Sequence, residues 1–141
     1  SGIRVTKHCE ALPKVHTDKH KVLQILLNLL SNARHALEAV SAEQRHLQLR
    51  LHQDNGSALL QVIDSGMGLA PEHLPRLFSQ GFTTRKSGHG LGLHSSALAA
   101  QLLKGRLTLE SPGPGQGATA TLCLPLLPPG PSVSPLPPRS T

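Results

Sequence analysis

The chain has 141 residues, a formal net charge of +6 and 38% apolar residues, enough for one domain with a real core. No apolar run reaches the roughly 20 residues of a membrane span, which excludes a spanning helix. Two phenylalanines, no tyrosine or tryptophan, and scattered basic residues argue against a nucleic-acid platform, leaving a solvated surface with a few phosphate contacts.

Residues 3–8 alternate apolar and polar and predict a half-buried strand. Pro13 marks a break, and Asp18 is placed to cap a helix. From Val22 to about Val40, apolar positions at Ile25, Leu26, Leu29, Leu30, Ala33 and Leu37 follow helical spacing. Residues 47–53 alternate strictly, Asp54-Asn55-Gly56-Ser57 is a turn, and 58–63 are apolar, which predicts a β-hairpin. A short helix is expected over 71–78 with Pro71 in its first turn. The Gly-, Ser- and Thr-rich stretch 79–90 is expected to be mobile. Leu91–Leu103 predicts a second helix with Gly105 as its left-handed cap, and 106–111 and 118–124 predict a second hairpin. No strand–helix–strand alternation repeats, so the expected fold class is α+β: a two-layer sandwich, a mixed sheet with helices on one face.

After Leu124 the composition changes, and seven of the last seventeen residues are proline. The expected division is a folded domain over 1–126 and a disordered tail over 127–141. Ser1-Gly2 reads as a scar from expression, and the whole as a piece of something larger. Cys9 and Cys123 form no CxxC motif and read as reduced thiols, although both lie on predicted strands and a pairing stays open.

Three stretches carry chemistry. Asp64 ends an apolar strand and opens Ser65-Gly66-Met67-Gly68, so its carboxylate is placed to accept a hydrogen bond from the exocyclic amine of adenine; an Asx-turn role is the alternative. Gly88, Gly90 and Gly92 precede a helix whose first amides suit phosphate, with a plain flexible loop before a helix as the alternative. No GKS or GKT follows, so this is no Walker loop. Asn28 and Asn32 lie four apart on one helical face and interrupt a leucine stripe, where Mg²⁺ and phosphate oxygens would satisfy them; two asparagines bonding neighbouring loops are the alternative. Gly113 to Gly117 reads as a hairpin turn. His16 and His20 are also four apart but lack a third ligand for zinc. His89 and His94 flank the phosphate loop and read as lid scaffolding, with a local role tuned by pH as the alternative.

From residue 3 to 125 the chain resembles the catalytic, ATP-binding domain of sensor histidine kinases, within the superfamily that includes gyrase, MutL and the ninety-kilodalton heat-shock chaperones. The resemblance rests on an N box (Asn28 to Ala36), a first glycine box (Asp64 to Gly68) and a phenylalanine box (Leu77 to Thr84). A second glycine box (Gly88 to Leu93) and a final Gly115-Gln116-Gly117-Ala118-Thr119 complete it. It implies a Bergerat-type fold, with ATP and Mg²⁺ as cofactors.

The resemblance also implies roles. Asn32 would ligate Mg²⁺, with Asn28 assisting at the metal or phosphates. Asp64 would select adenine, and Gly66 and Gly68 would make room for the ring. Arg85, or Lys86 beside it, would reach the terminal phosphates. Gly88, Gly90, Leu91 and Gly92 would cradle them through backbone amides, and Thr84 and Thr119 would belong to the nucleotide-binding set. Residues 69–90 would be the ATP lid. ATP-hydrolysing members carry a glutamate where this chain has Asn28, which cannot act as a base, so the resemblance favours a kinase over an ATPase.

None of the nine histidines has the His-Glu/Asp setting of a phosphoacceptor. The resemblance therefore implies a monomeric cytoplasmic domain that binds ATP and does not phosphorylate itself. Its partners would be a dimerisation domain bearing the acceptor histidine and a response regulator, within a parent protein that is soluble or membrane-anchored. A nucleotide-sensing module without transfer activity and a superfamily ATPase are the alternatives.

Overall fold

Hydrophobic patterning sets the two layers. The computed structural model describes residues 2–13, 17–78 and 93–126. In chain order these form β1 (Arg4–Cys9), α1 (Lys19–Glu38), β2 (His46–Asp54), β3 (Ser57–Asp64), α2 (Leu93–Leu102), β4 (Arg106–Glu110) and β5 (Ala118–Pro125), with short 3₁₀ turns at Ala42–Gln44 and Pro71–Arg76. The five strands form one mixed sheet in the order β1-β2-β3-β5-β4. β1 runs parallel to β2, and every other neighbouring pair is antiparallel. Both helices pack against the sheet, α1 over β3 and α2 over β4. This is the expected two-layer α+β sandwich.

Helix α1 begins where its cap was expected. The Asp18 carboxylate accepts from the His20 and Lys21 amides at 2.9 and 3.2 Å. Ile25, Leu29, Ala33 and Leu37, each four residues apart, form its buried stripe. With Val62, Leu77, Leu93 and Leu122 they make the centre of the core.

The far end of α1 is held by a side chain that the sequence does not advertise. Arg45 Nε donates to the carbonyls of Leu37 at 2.9 Å and Val40 at 3.0 Å, and its guanidinium also reaches the Glu38 carbonyl at 3.3 Å. A cation on the orphan carbonyls of a helix C-terminus satisfies both hydrogen bonding and the helix dipole. Arg45→Ala should therefore lower stability by ~1–2 kcal/mol. Denaturant melts of the two proteins check this, and an unchanged midpoint would show that water serves these carbonyls equally well.

The hairpin turns follow the sequence. Asn55 and Gly56 both have positive φ, 50° and 80°, as an Asn-Gly turn with primed geometry needs. Four details differ from expectation. β1 is exposed along its whole length, with Val5 at 53%, because it is an edge strand that the helix layer does not cover. The 71–78 helix is a 3₁₀ turn over Pro71–Arg76, because Pro75 has no amide to donate. Helix α1 stops at Glu38 rather than Val40. At the end of α2 the left-handed residue is Lys104, with φ 64°, and not Gly105. Gly105 N donates to Ala100 O and Lys104 N to Gln101 O, the paired bonds of a Schellman motif. Gly105 is small for another reason: a Cβ there would collide with the Cys123 carbonyl on β5. Cys9 and Cys123 are both free thiols, the former on edge strand β1 and the latter on β5.

The stretches 79–92 and 127–141 lie outside the described residues, and with them the expectations of a mobile lid and a disordered tail. His16 of the 16/20 pair lies outside them as well.

Candidate functional site

Strand β3 sits between β2 and β5, so its last residue is delivered to the middle of the sheet edge. That residue, Asp64, is 9% exposed and lies in a pocket between the layers. The walls are apolar: Leu29 and Ala33 from α1, Leu93 from α2, Leu109 from β4, and Ala120 from β5. Asn32, His35 and Ala36 line the same pocket from α1.

Burial raises the Asp64 carboxyl to about 6, opposed by the Gly66 and Ala118 amides that donate to its charged form. The Gly66 bond, 2.8 Å to Oδ1, is the Asx-turn contact that was the alternative reading of this residue. The turn contact is present, and it leaves the carboxylate at the pocket. One carboxylate shapes its own turn and is also the acidic group lining an apolar pocket.

The turn after Asp64 is clamped from both sides. Met67 N donates to Ala36 O at 3.1 Å, joining it to the end of α1. On the other side, Gly115 N donates to Met67 O at 2.6 Å and Gly117 N to Gly66 O at 3.1 Å. Ser111 Oγ completes the clamp, accepting from Leu69 N at 3.1 Å and donating to Gly117 O at 2.7 Å. The loop between β4 and β5 is thus the pocket's support, a part that a hairpin-turn reading of 113–117 does not convey.

The glycines of the first box serve this clamp. A Cβ on Gly66 would lie 2.6 Å from the Ala36 carbonyl carbon, and one on Gly68 would collide with the Gly113 carbonyl. The room they make is therefore taken by protein backbone, and the pocket is shaped indirectly. Gly68 also has φ +66°, in the region that favours glycine.

Asn28 and Asn32 share a face of α1 but have different surroundings. Asn32 is half-buried and lines the Asp64 pocket. Asn28 lies one turn earlier, and its Nδ2 donates to Ser96 Oγ of α2 at 2.9 Å. Thr119 stands apart from the pocket. β5 turns Ala118 and Ala120 toward it, and strand alternation puts the Thr119 side chain on the opposite face of the sheet. Thr84, Arg85, Lys86, Gly88, Gly90, Leu91 and Gly92 lie outside the described residues. His94 ties α2 to the residue before the 79–92 stretch, its Nδ1–H donating to the Phe78 carbonyl at 3.1 Å. His35 was not singled out from sequence; its position three residues after Asn32, on the same helical face, was the available signal.

Residues 17–128 match the family of histidine kinase-, DNA gyrase B- and HSP90-like ATPases. The chain belongs to this family. Within it, the relatives are sensor kinases. It is 33% identical over 114 residues to a probable C4-dicarboxylate sensor kinase of Bacillus subtilis (strain 168), an alignment covering 79% of this chain and 21% of that one. It is 35% identical over 120 residues to the signal transduction histidine-protein kinase AtoS of Escherichia coli (strain K12), covering 84% and 19%. The nucleotide-free catalytic domain of histidine kinase ThkA shares the fold, with a TM-score of 0.73 at 22% identity over 89% of this chain and 80% of that one. Full-length ShkA in complex with AMPPNP superposes with a TM-score of 0.72 at 28% identity, over 89% and 26%. This histidine kinase ATP-binding domain spans about a fifth of the length of those two curated relatives. Among its described residues no helix is long and apolar enough to cross a membrane.

Proposed function

We propose that this domain binds Mg²⁺·ATP with adenine against Asp64, and presents the γ-phosphate to a histidine on a separate helical dimerisation domain of its parent protein. A response regulator would then receive the phosphoryl group. The observation that carries this reading is the buried Asp64 carboxylate in a pocket walled mostly by apolar residues, with Asn32 and His35 on its α1 side. Apolar walls suit the faces of a purine ring, and a carboxylate accepts from the adenine amine where guanine offers a carbonyl oxygen instead.

The residues present also suit the metal. Among the described residues no group of three or more His, Cys, Asp or Glu could cage a cation. Mg²⁺ held by a nucleotide needs no such cage, because phosphates and waters would supply most of its oxygens and an amide oxygen from Asn32 or Asn28 is a suitable further ligand. Held there by Asn32 or Asn28, Mg²⁺ would supply charge neutralisation for the phosphates during transfer. The protein's own part is positioning: Asp64 holds the base, and the N-box helix lines the same pocket. Arg85 or Lys86, Thr84, and the amides of Gly88, Gly90, Leu91 and Gly92 would hold the phosphates; for these the support is their place in the family's motifs. Asn28 offers no base to activate water, which supports transfer to a histidine rather than hydrolysis.

Calorimetric titration with ADP, an ATP analogue and GTP in the presence of Mg²⁺ tests the binding. Addition of the parent's helical domain with ATP tests the transfer. Adenine-selective binding and phosphohistidine formed only in the mixture are expected. Binding without phosphohistidine would mark a nucleotide-sensing module, and steady phosphate release by the domain alone would mark an ATPase.

A further inference from the structure

Ser96 is an anomaly in α2. The helix reads Leu-His-Ser-Ser-Ala-Leu-Ala-Ala-Gln-Leu, and its face toward the core is otherwise leucine and alanine, yet Ser96 is only 2% exposed. With Asp64 it is one of two buried polar residues among those described. An alanine would fill nearly the same volume without a hydroxyl to satisfy. That hydroxyl is satisfied across the helix interface, by Asn28 Nδ2 at 2.9 Å.

The location of the bond gives it a meaning beyond packing. Asn28 is one turn before Asn32, which lines the nucleotide pocket, and Ser96 is in the first turn of α2, three residues after the end of the second glycine box. A carboxamide has a donor end and an acceptor end. With Nδ2 committed to Ser96, the group can no longer rotate freely. A side chain already held in one orientation loses less freedom when a ligand arrives.

We infer that Ser96 is a positioning residue for the phosphate and metal half of the site, acting by holding the Asn28 carboxamide between α1 and α2. This rests on the ATP-binding reading above. It separates two halves of the site: Asp64 and the apolar walls serve the base, and the Ser96–Asn28 pair serves the phosphates and their cation.

The test compares two ligands that differ only in the second half. Adenosine, and an ATP analogue with Mg²⁺, are titrated calorimetrically into the unmutated domain, Ser96→Ala, Asn28→Ala and the double variant, with thermal melts to show that each folds. Ser96→Ala should weaken the Mg²⁺·ATP analogue roughly tenfold, the cost of one unfixed polar side chain, while adenosine changes less than about twofold. The double variant should be no weaker than Asn28→Ala alone, because the serine acts through the asparagine. Equal losses for both ligands would show that the bond only supports the fold, and additive losses would show that Ser96 does not act through Asn28. An unchanged Ser96→Ala would also overturn the inference while leaving ATP binding intact. Failure of the unmutated domain to bind either ligand would instead overturn the ATP-binding reading, and this inference with it.

Discussion

Replacing Asp64 by asparagine should make the nucleotide-free domain more stable while removing most of its affinity for adenine. The two effects share one cause. Burial lifts the Asp64 carboxyl from its ordinary 3.8 to about 6 in the folded protein. Above pH 6 the folded state therefore holds a charge that it would rather lose, a cost of up to ~3 kcal/mol relative to the unfolded chain. Asparagine removes the charge but also weakens the bonds from Gly66 and Ala118, so a net gain of roughly 1–2 kcal/mol is expected, or several degrees in melting temperature.

The sign with pH follows. Between about 4 and 6 the folded form binds more protons than the unfolded form, so this residue penalises folding less as pH falls. The stability gap between Asp64→Asn and the unmutated domain should be full above pH 7 and shrink toward pH 4. Binding goes the other way, because the ionised carboxylate is the better acceptor for the adenine amine. Adenosine, which has no phosphate to titrate, should bind with constant affinity above pH 7 and lose about tenfold per pH unit below about 6, while Asp64→Asn shows a weak and flat profile. Melting curves and calorimetry over pH 4.5–8 measure both. An asparagine variant that binds adenosine as tightly as the unmutated domain would sink the assignment of Asp64 to the base.

Gly117→Ala should cost more stability than any other single change in the β4–β5 loop. Gly117 has φ +75°, and a Cβ there would run into the Asp64 backbone carbonyl while the residue's amide is bonded to Gly66. Backbone cannot move aside as a flexible side chain can. A loss above ~3 kcal/mol is expected, combining a left-handed penalty of ~1–2 kcal/mol with displacement of the loop from the turn. Because that loop supports the pocket, nucleotide affinity should fall with it. Gly115 provides the control. It has φ +77°, but nothing lies within 4 Å of a Cβ at that position. Gly115→Ala should show only the left-handed penalty, and equal melting temperatures for the two variants would refute the clamp.

The stripe of α1, its Asp18 cap and the Asn-Gly hairpin were legible because each depends on neighbours within a few residues. The same locality explains what was misread. Gly105 follows a helix in the way a cap does, but its need for smallness comes from Cys123 on a strand far along the chain. Thr119 belongs to a motif, yet strand alternation gives the pocket to Ala118 and Ala120. β1 alternates as a half-buried strand should, but only the sheet order shows that it is an edge that the helices do not cover. Arg45 capping α1 from beyond its end, and Ser111 tying Leu69 to Gly117, have no periodic signal at all.

By itself, the sequence determined the family and the order of elements, and it singled out Asp64 and the two asparagines as candidate site residues, because motif and periodicity are properties of short stretches. Only the tertiary structure decided how those groups are held. The fate of Asp64 depends on how much water the walls from α1, α2, β4 and β5 exclude, and that exclusion shifts its carboxyl. Asn28 and Asn32 look equivalent along a helix, and they part company only because Ser96, sixty-eight residues from Asn28, is folded against one of them. Desolvation and hydrogen bonding act through space, and contacts between distant residues exist only once the layers have packed.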